Sequence, residues 1–403
     1  MWSSASPSTR ESTMFDHHQL GRELGLFGTD PLIGAGLPYW LPDGATVRHS
    51  LEEYVRNVER RAGYRHVHSP VLAKRELYEL SGHWSHYRDD MYPPMDVGGE
   101  QVVLRPSLCP HHALIYRSRG RSYRELPLRF AELGAMYRAE LSGVLSGLSR
   151  VRAIQLNDAH IFCTLDQAEA EAKAALALIR RAYDALGIKP ARYRLSLPGP
   201  GGKYVSGDWE GAVAILRSAL DGLPYDAAEG EAAFYGPKID VQIADGAGRE
   251  STLSTVQVDF HQPAQFGLEY VGADGAKHRP VMLHRSIIGS VERAVAQLIE
   301  VHGGAFPAWL APVQLRLLPL SDAELPYARE VLDRCDDLRA ELAPDGSLGA
   351  RIRDGRLVPY QAVIGPREAA AGQLSVRLRD GRRLDAQPVE DALASIREAV
   401  RRP

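Results

Sequence analysis

Leu128-Arg129-Phe130-Ala131-Glu132-Leu133-Gly134-Ala135-Met136-Tyr137 is an apolar run that ends directly on Arg138-Ala139-Glu140. Arg150-Val151-Arg152 then opens a second run that closes on Asn157-Asp158-Ala159-His160-Ile161-Phe162-Cys163. Each run has strand length and a polar loop joins them, so the pair reads as part of an antiparallel sheet. Working outward, short strands are expected at 67–72 and 102–104 upstream, and at 234–243 and 252–260 downstream. Helical spacing of Val47, Leu51, Tyr54, Val55 and Val58 predicts a helix over 45–62 that ends near Gly63. A longer helix follows Thr164, whose hydroxyl can cap its first turn, and runs through Ala168, Ala172, Ala175, Ile179, Ala182 and Leu186 to Gly187. Another, over 290–302, stops at Gly303-Gly304.

The chain has 403 residues, 44% hydrophobic and 25% charged, and Lys+Arg 48 against Asp+Glu 51 leaves a net charge of −3. A chain of this size and composition buries sizeable cores and reads as a globular protein of two domains, which excludes collagen-like, coiled-coil and wholly disordered classes. With the charge near balance, any nucleic-acid surface must be local. The three cysteines, Cys109, Cys163 and Cys335, are too few for a disulfide scaffold and fit a reducing cytoplasm. No run of about 18 apolar residues occurs, so no membrane-spanning helix is expected. Residues 1–13, rich in small hydroxylated side chains, read as a loose tail, and 306–312, with two prolines, as a linker. Beyond it, strands at 313–320, 361–365 and 374–378 and helices at 322–339 and 389–400 predict a compact α/β unit. Arginines outnumber acids from Arg351 onward, which suits phosphate as readily as a solvated helix face.

Three features could carry chemistry. Cys109, His160 and His284 offer one thiolate and two imidazoles, a set that suits zinc with a position left open for substrate. With 14 histidines in the chain, spacing alone favours ordinary core or surface histidines. Arg138, Arg150 and Arg293 each offer a planar fork for phosphate or carboxylate, and convergence of all three would fit a nucleoside triphosphate, although each alone reads as a surface residue. Neither a P-loop nor a Gly-x-Gly-x-x-Gly after a strand is present, which removes the two common nucleotide-binding motifs. The third feature, Ala233-Phe234-Tyr235-Gly236-Pro237-Lys238, reads on its own as a hairpin turn.

Taken in order, Ser81-Gly82-His83-Trp84, Leu126-Pro127-Leu128-Arg129, Val151-Arg152, Asn157 through Phe162, Ala233 through Lys238, Thr255-Val256-Gln257, and Pro280-Val281-Met282-Leu283-His284-Arg285 leading to Gly289-Ser290-Val291-Glu292-Arg293 carry a resemblance. The sequence resembles the threonyl-tRNA synthetases, a family of class II aminoacyl-tRNA synthetases, from about Phe15 to the C-terminus. The resemblance implies an α+β catalytic domain over 14–307, an antiparallel sheet of six or more strands with flanking helices, followed by a small α/β anticodon-binding domain over 308–403. It implies a cytoplasmic homodimer, formed through the helix near Leu51 and the strand ending at Pro70, with no membrane partner. The implied activity is a threonine–tRNA ligase that uses ATP with Mg2+ and one Zn2+ per subunit, with L-threonine and tRNA(Thr) as substrates.

Roles follow from the same resemblance. Cys109, His160 and His284 hold zinc; Asp158 accepts from the threonine hydroxyl, and Tyr235 helps hold the amino group. Arg138 bridges the α-phosphate and the carboxylate, Glu140 faces the adenine amino group, Arg150 and Arg293 steady the other phosphates, and Gln257 and Ser290 join the ATP site. Lys238 adds to the positive field, and His83, as an imidazole titrating near neutrality, serves transfer to tRNA. Arg353, Glu368 and Arg377 match anticodon-reading positions.

The sequence departs from the family in several places. Most bacterial relatives carry ubiquitin-like and editing domains ahead of the core, and the resemblance here begins near Phe15, so the chain is expected to lack both and to charge serine noticeably. The family's Met-Asn-Cys-Pro-Gly-His reads Ser107-Leu108-Cys109-Pro110-His111-His112, and Leu156 stands where many relatives have glutamine. The basic turn before the family's Lys-Ile-Arg strand reads Pro344-Asp345-Gly346-Ser347-Leu348-Gly349-Ala350-Arg351-Ile352-Arg353. Two other readings share these residues. One is a paralogue that delivers threonine to a carrier protein or small molecule, or serves as a resistance copy; the other is a non-catalytic regulator, against which the intact arginines and zinc ligands argue.

Overall fold

A computed structural model describes residues 15–201, 204–205 and 207–403; the tail expected at 1–13 lies outside the described residues. The Leu128–Tyr137 run forms a strand over the expected residues, paired antiparallel with Ala153–Cys163. Around this pair an eight-stranded sheet is ordered Tyr225–Glu229, Arg192–Leu197, Lys238–Ala244, Glu250–Asp259, Val281–Ser286, Ala153–Cys163, Leu128–Tyr137, Arg65–His66. The six inner strands pair antiparallel, and only the two edge strands join in parallel.

Register places the chemistry. Lys238 pairs with Gln257, Gln257 with His284, His284 with His160, and His160 with Phe130. Directly opposed residues project from the same face, so these five form one row across the sheet, and Asp158, two residues from His160, shares that face. The opposite face takes the Leu165–Leu186 helix, whose Ala168, Ala172, Ala175 and Ala182 are buried. Their small side chains permit close approach, and Tyr183 Oη meets Ser254 Oγ at 2.8 Å. The helix ends at Gly187 in the left-handed region (φ 69°), as expected. Its start differs: Gln167 Oε1 accepts from Thr164 N at 3.1 Å, while the Thr164 hydroxyl is buried without a partner.

Several boundaries move for identifiable reasons. The strand expected at 67–72 is broken, leaving Arg65–His66 and Leu72–Lys74. Pro70 has no N–H to donate, and the Ser69 N–H goes to the Glu132 carboxylate at 3.2 Å. The strand expected from Phe234 begins at Lys238, because Gly236 passes over the neighbouring strand so closely that a Cβ there would lie 2.1 Å from the Val258 carbonyl oxygen.

Two compact units are present, one made of Thr29–Pro38 and Glu52–Gln297, the other of the chain up to Gly28, Tyr39–Leu51 and Leu298–Pro403. The second contains a five-stranded sheet ordered Ala340–Leu342, Leu315–Pro319, Tyr360–Ile364, Gln373–Leu378, Gln387–Pro388. Leu315, Leu317, Ala362, Ile364, Leu374, Val376, Leu393 and Ile396 make its core. The helix expected at 322–339 stops at Asp333, and Ala340–Leu342 joins the sheet edge instead. Where the family comparison implied a Lys-Ile-Arg strand, Ser347 caps a helix over Leu348–Asp354 through Ala350 N. No helix among the described residues is long and apolar enough to cross a membrane.

Candidate active site

The sheet row floors a cavity of about 660 Å³ lined by Cys109, Arg138, Asp158, Tyr235, Gln257, His284 and Arg293, among others. At one end Cys109, His160 and His284 place their donor atoms within 4.8 Å of one another, and all three residues are buried. Hydrogen bonds behind the rings decide which nitrogens carry protons. His112 Nε2 lies 3.2 Å from the Glu132 carboxylate, which as an anion only accepts, so the proton sits on Nε2 and leaves Nδ1 of the neutral ring as an acceptor. His160 Nδ1 therefore donates to His112 Nδ1 at 2.7 Å, and the lone pair of His160 is on Nε2. On the other side His284 Nε2 donates to Asp259 Oδ2 at 2.8 Å, leaving its lone pair on Nδ1.

These two lone pairs face each other at 3.0 Å. They repel unless a cation lies against them, and burial holds the His160 ring well below the usual imidazole range. Burial likewise pushes the Cys109 thiol well above its ordinary value, so its thiolate forms only beside a positive charge. One thiolate and two imidazoles, each imidazole backed by a hydrogen-bonded partner, fit zinc. His112, Glu132 and Asp259 were absent from the site read in the sequence; the only local signal was His112 three residues after Cys109, one helical turn away.

Glu132 lies at the centre of a buried network. Burial raises its carboxyl, but hydrogen bonds from His112 and Ser69 and the Arg105 guanidinium at 3.0 Å outweigh this and bring it down to about 2. A carboxyl lowered from 4.5 contributes stability above about pH 4.5, on the order of 3 kcal/mol, which is lost as pH falls toward about 2. Glu132→Gln should therefore destabilise the protein near neutrality and flatten this acid limb, as read by denaturant midpoints across pH 2–7; an unchanged limb would assign it to other groups.

The other end of the cavity is positive. Arg138 follows the Leu128–Tyr137 strand, where its N–H is fixed to the Arg152 carbonyl at 3.0 Å. Arg293 opens the Val291–His302 helix, with Nε on the Ser149 carbonyl at 2.9 Å and Nη1 on that of Thr252 at 2.6 Å. Burial, then the charges of Arg138 and Arg150, lower its pKa, the mark of a cation crowded by cations that an anion would relieve. Ser290 Oγ accepts from Arg293 N at 3.1 Å. Arg150 and Glu140 pair with each other at 2.7 Å, and Lys238 pairs with Asp240 at 3.0 Å, so these four line the cavity as two ion pairs.

Tyr235 stacks on His284 at 4.8 Å and donates its hydroxyl to Gln257 Oε1 at 2.9 Å. Asp158 Oδ2 is 3.7 Å from His160 Nε2, and burial raises its carboxyl pKa. His83 is buried between Ser81 Oγ at 2.8 Å and Ser107 Oγ at 2.9 Å, and burial lowers it to about 3, so it does not titrate near neutrality as its residue type had suggested. Arg353, Glu368 and Arg377 belong to the C-terminal unit, where Glu368 accepts from Gly365 N at 3.0 Å and Ser375 Oγ at 2.7 Å.

Comparison with known proteins places the chain in a family. Residues 92–302 match the family described as tRNA synthetase class II core domain (G, H, P, S and T), and 314–399 match the anticodon binding domain. The chain belongs to the class II tRNA synthetase core family. Among similar relatives, a threonine–tRNA ligase of Geobacillus sp. is 47% identical over 98% of this chain and 63% of its own length, and one of Listeria monocytogenes is 50% identical over 90% and 59%. This chain thus spans about three fifths of those relatives. The solved RNA binding domain of threonyl-tRNA synthetase from Cryptosporidium parvum superposes with a TM-score of 0.90 at 33% identity, covering 96% of this chain and 98% of that one.

Proposed function

We propose that the protein activates L-threonine with ATP and transfers it to tRNA(Thr). The observation that carries this reading is the buried Cys109, His160 and His284 donor set with Asp158 beside it, on the same cavity as Arg138 and Arg293. In the first step the threonine carboxylate attacks the α-phosphorus in line and pyrophosphate leaves; in the second, a terminal ribose hydroxyl of tRNA attacks the carbonyl carbon and AMP leaves. Arg138 bridges carboxylate and α-phosphate, Arg293 and Arg150 neutralise the remaining phosphates with Mg2+, and Glu140, Gln257 and Ser290 hold the nucleotide. Lys238 extends the positive field. Cys109, His160 and His284 would hold zinc, which when bound would supply Lewis-acid chemistry toward threonine. Asp158 accepts from the threonine hydroxyl, Tyr235 steadies the amino group, and His83, neutral through burial, serves the transfer step as a hydrogen-bond acceptor.

Residues 14–307 act as the catalytic domain and 308–403 as the anticodon-binding domain, with Arg353, Glu368 and Arg377 toward the anticodon. The protein works in the cytoplasm as a homodimer, a reading that rests on the resemblance to the threonyl-tRNA synthetases. The test is ATP–pyrophosphate exchange across a panel of amino acids, beside charging of tRNA(Thr). Threonine-dependent exchange with charging supports the proposal; exchange without charging moves it to another acceptor, and no exchange overturns it. Serine keeps the hydroxyl and lacks one methyl, which a pocket resolves by only about 10–200-fold in kcat/KM. Serine-dependent exchange within that range of threonine is the expected result, and a ratio well above about 10³ would show a discriminating contact beyond the methyl.

A further inference from the structure

We propose that Ser107 is a positioning residue for His83, holding the ring in the tautomer with its lone pair on Nε2, toward the cavity; this rests on the reading of His83 as the group that serves transfer. Ser107 lines the cavity, whereas the His83 side chain lies behind it, 3% exposed. The ring is confined by Phe234 edge-on at 5.5 Å and by Tyr87 at 6.0 Å, so its hydrogen bonds choose the tautomer within a nearly fixed plane. Ser81 Oγ has one proton, and it goes to the Tyr78 carbonyl at 3.3 Å, an atom that can only accept. Ser81 therefore receives the His83 Nδ1–H at 2.8 Å, and Nε2 carries the lone pair, into which the Ser107 hydroxyl donates at 2.9 Å.

Without the Ser107 hydroxyl only the long Ser81–Tyr78 bond at 3.3 Å and the Cys109 sulfur, 3.6 Å from Nε2, bear on the choice: Ser81 can turn its proton to Nδ1, and the nitrogen toward the cavity then carries hydrogen and cannot accept. An imidazole locked in the wrong tautomer loses up to about 10⁴ in rate, and one free to exchange between tautomers loses less. Cys109 Sγ lies 3.5 Å from Ser107 Oγ and competes for the same proton. A Ser107 that served the thiolate instead of His83 would show itself in metal retention, not in transfer.

The experiment uses the full chain loaded with zinc and compares Ser107→Ala, Ser107→Thr and the unaltered protein. Pyrophosphate exchange, single-turnover transfer from preformed threonyl-adenylate, bound zinc, and the imidazole 15N shifts of His83 are read for each. Ser107→Ala should slow transfer at least about ten times more than exchange, within the span of general acid–base contributions, and Ser107→Thr should restore transfer. The 15N spectrum of the unaltered protein should show Nδ1 protonated and Nε2 bare. Equal effects on transfer and exchange, a defect confined to zinc content, or an Nε2–H tautomer in the unaltered protein would each overturn the proposal. Absence of charging by the unaltered chain overturns the transfer reading and this inference together, whereas normal charging with an indifferent Ser107→Ala overturns this inference alone.

Discussion

Arg138→Ala is expected to lower threonine-dependent pyrophosphate exchange by about 10³-fold or more while leaving the fold intact. Arg138 stands where the Leu128–Tyr137 strand ends, its backbone tied to Arg152, and its side chain lines the cavity with the donor set and Arg293. Adenylate formation brings an anionic carboxylate to an anionic phosphate, and a planar fork that touches both removes their repulsion and sets the line of attack. Removing a single donor from a preorganised charge-stabilising site costs roughly 10²–10³ in kcat, and arginines at transferring phosphoryl groups are worth about 10³–10⁵. The residue is only half buried and closes no core, so the melting temperature should stay near that of the unaltered protein. Arg138→Lys should recover part of the lost rate, because an ammonium restores charge without the fork. Exchange within tenfold of the unaltered protein in Arg138→Ala would remove Arg138 from the reacting centre.

The second large effect concerns valine, which has the shape of threonine without its hydroxyl. A site whose buried polar groups are built to meet a hydroxyl rejects the analogue lacking it by about 10⁴–10⁵, because those groups are left unpaired. Asp158 is the group in question: burial raises its carboxyl, the Arg285 guanidinium pulls it the other way, and valine gives it no partner. We expect kcat/KM for valine in exchange to fall at least about 10⁴ below threonine, far beyond the serine ratio, with the gap narrowing in Asp158→Ala through loss of threonine activation. Comparable use of valine and serine would mean that the pocket measures volume and does not read the hydroxyl.

How far the sequence could be read depended on how local the cause was. The Leu165–Leu186 helix was legible at its end because Gly187 is a local signal, and the Leu128–Tyr137 strand because its run is bounded by charge. The strand expected at 67–72 was not, because the Ser69 N–H that breaks it goes to Glu132, 63 residues away. The donor set could be named from the family resemblance, but not from spacing, since cross-strand register is what brings His160 and His284 together. What fixes those rings, the His112–Glu132 and Asp259 contacts, lay outside the reading because each joins segments distant in the chain. His83 marks the same boundary from the other side: its residue type suggested titration near neutrality, and burial, which no local pattern reports, moved it to about 3.

In the proposed function, a metal held by Cys109, His160 and His284 is what would make this cavity a threonine site. The measurement that tests it most directly is threonine-dependent pyrophosphate exchange on protein stripped of metal and then restored with one equivalent of zinc, with Cys109→Ala carried through the same treatment. Exchange should be lost on stripping, return with zinc in the unaltered protein, and stay absent in Cys109→Ala. Exchange that is equal with and without zinc, or that survives in Cys109→Ala, would contradict this reading.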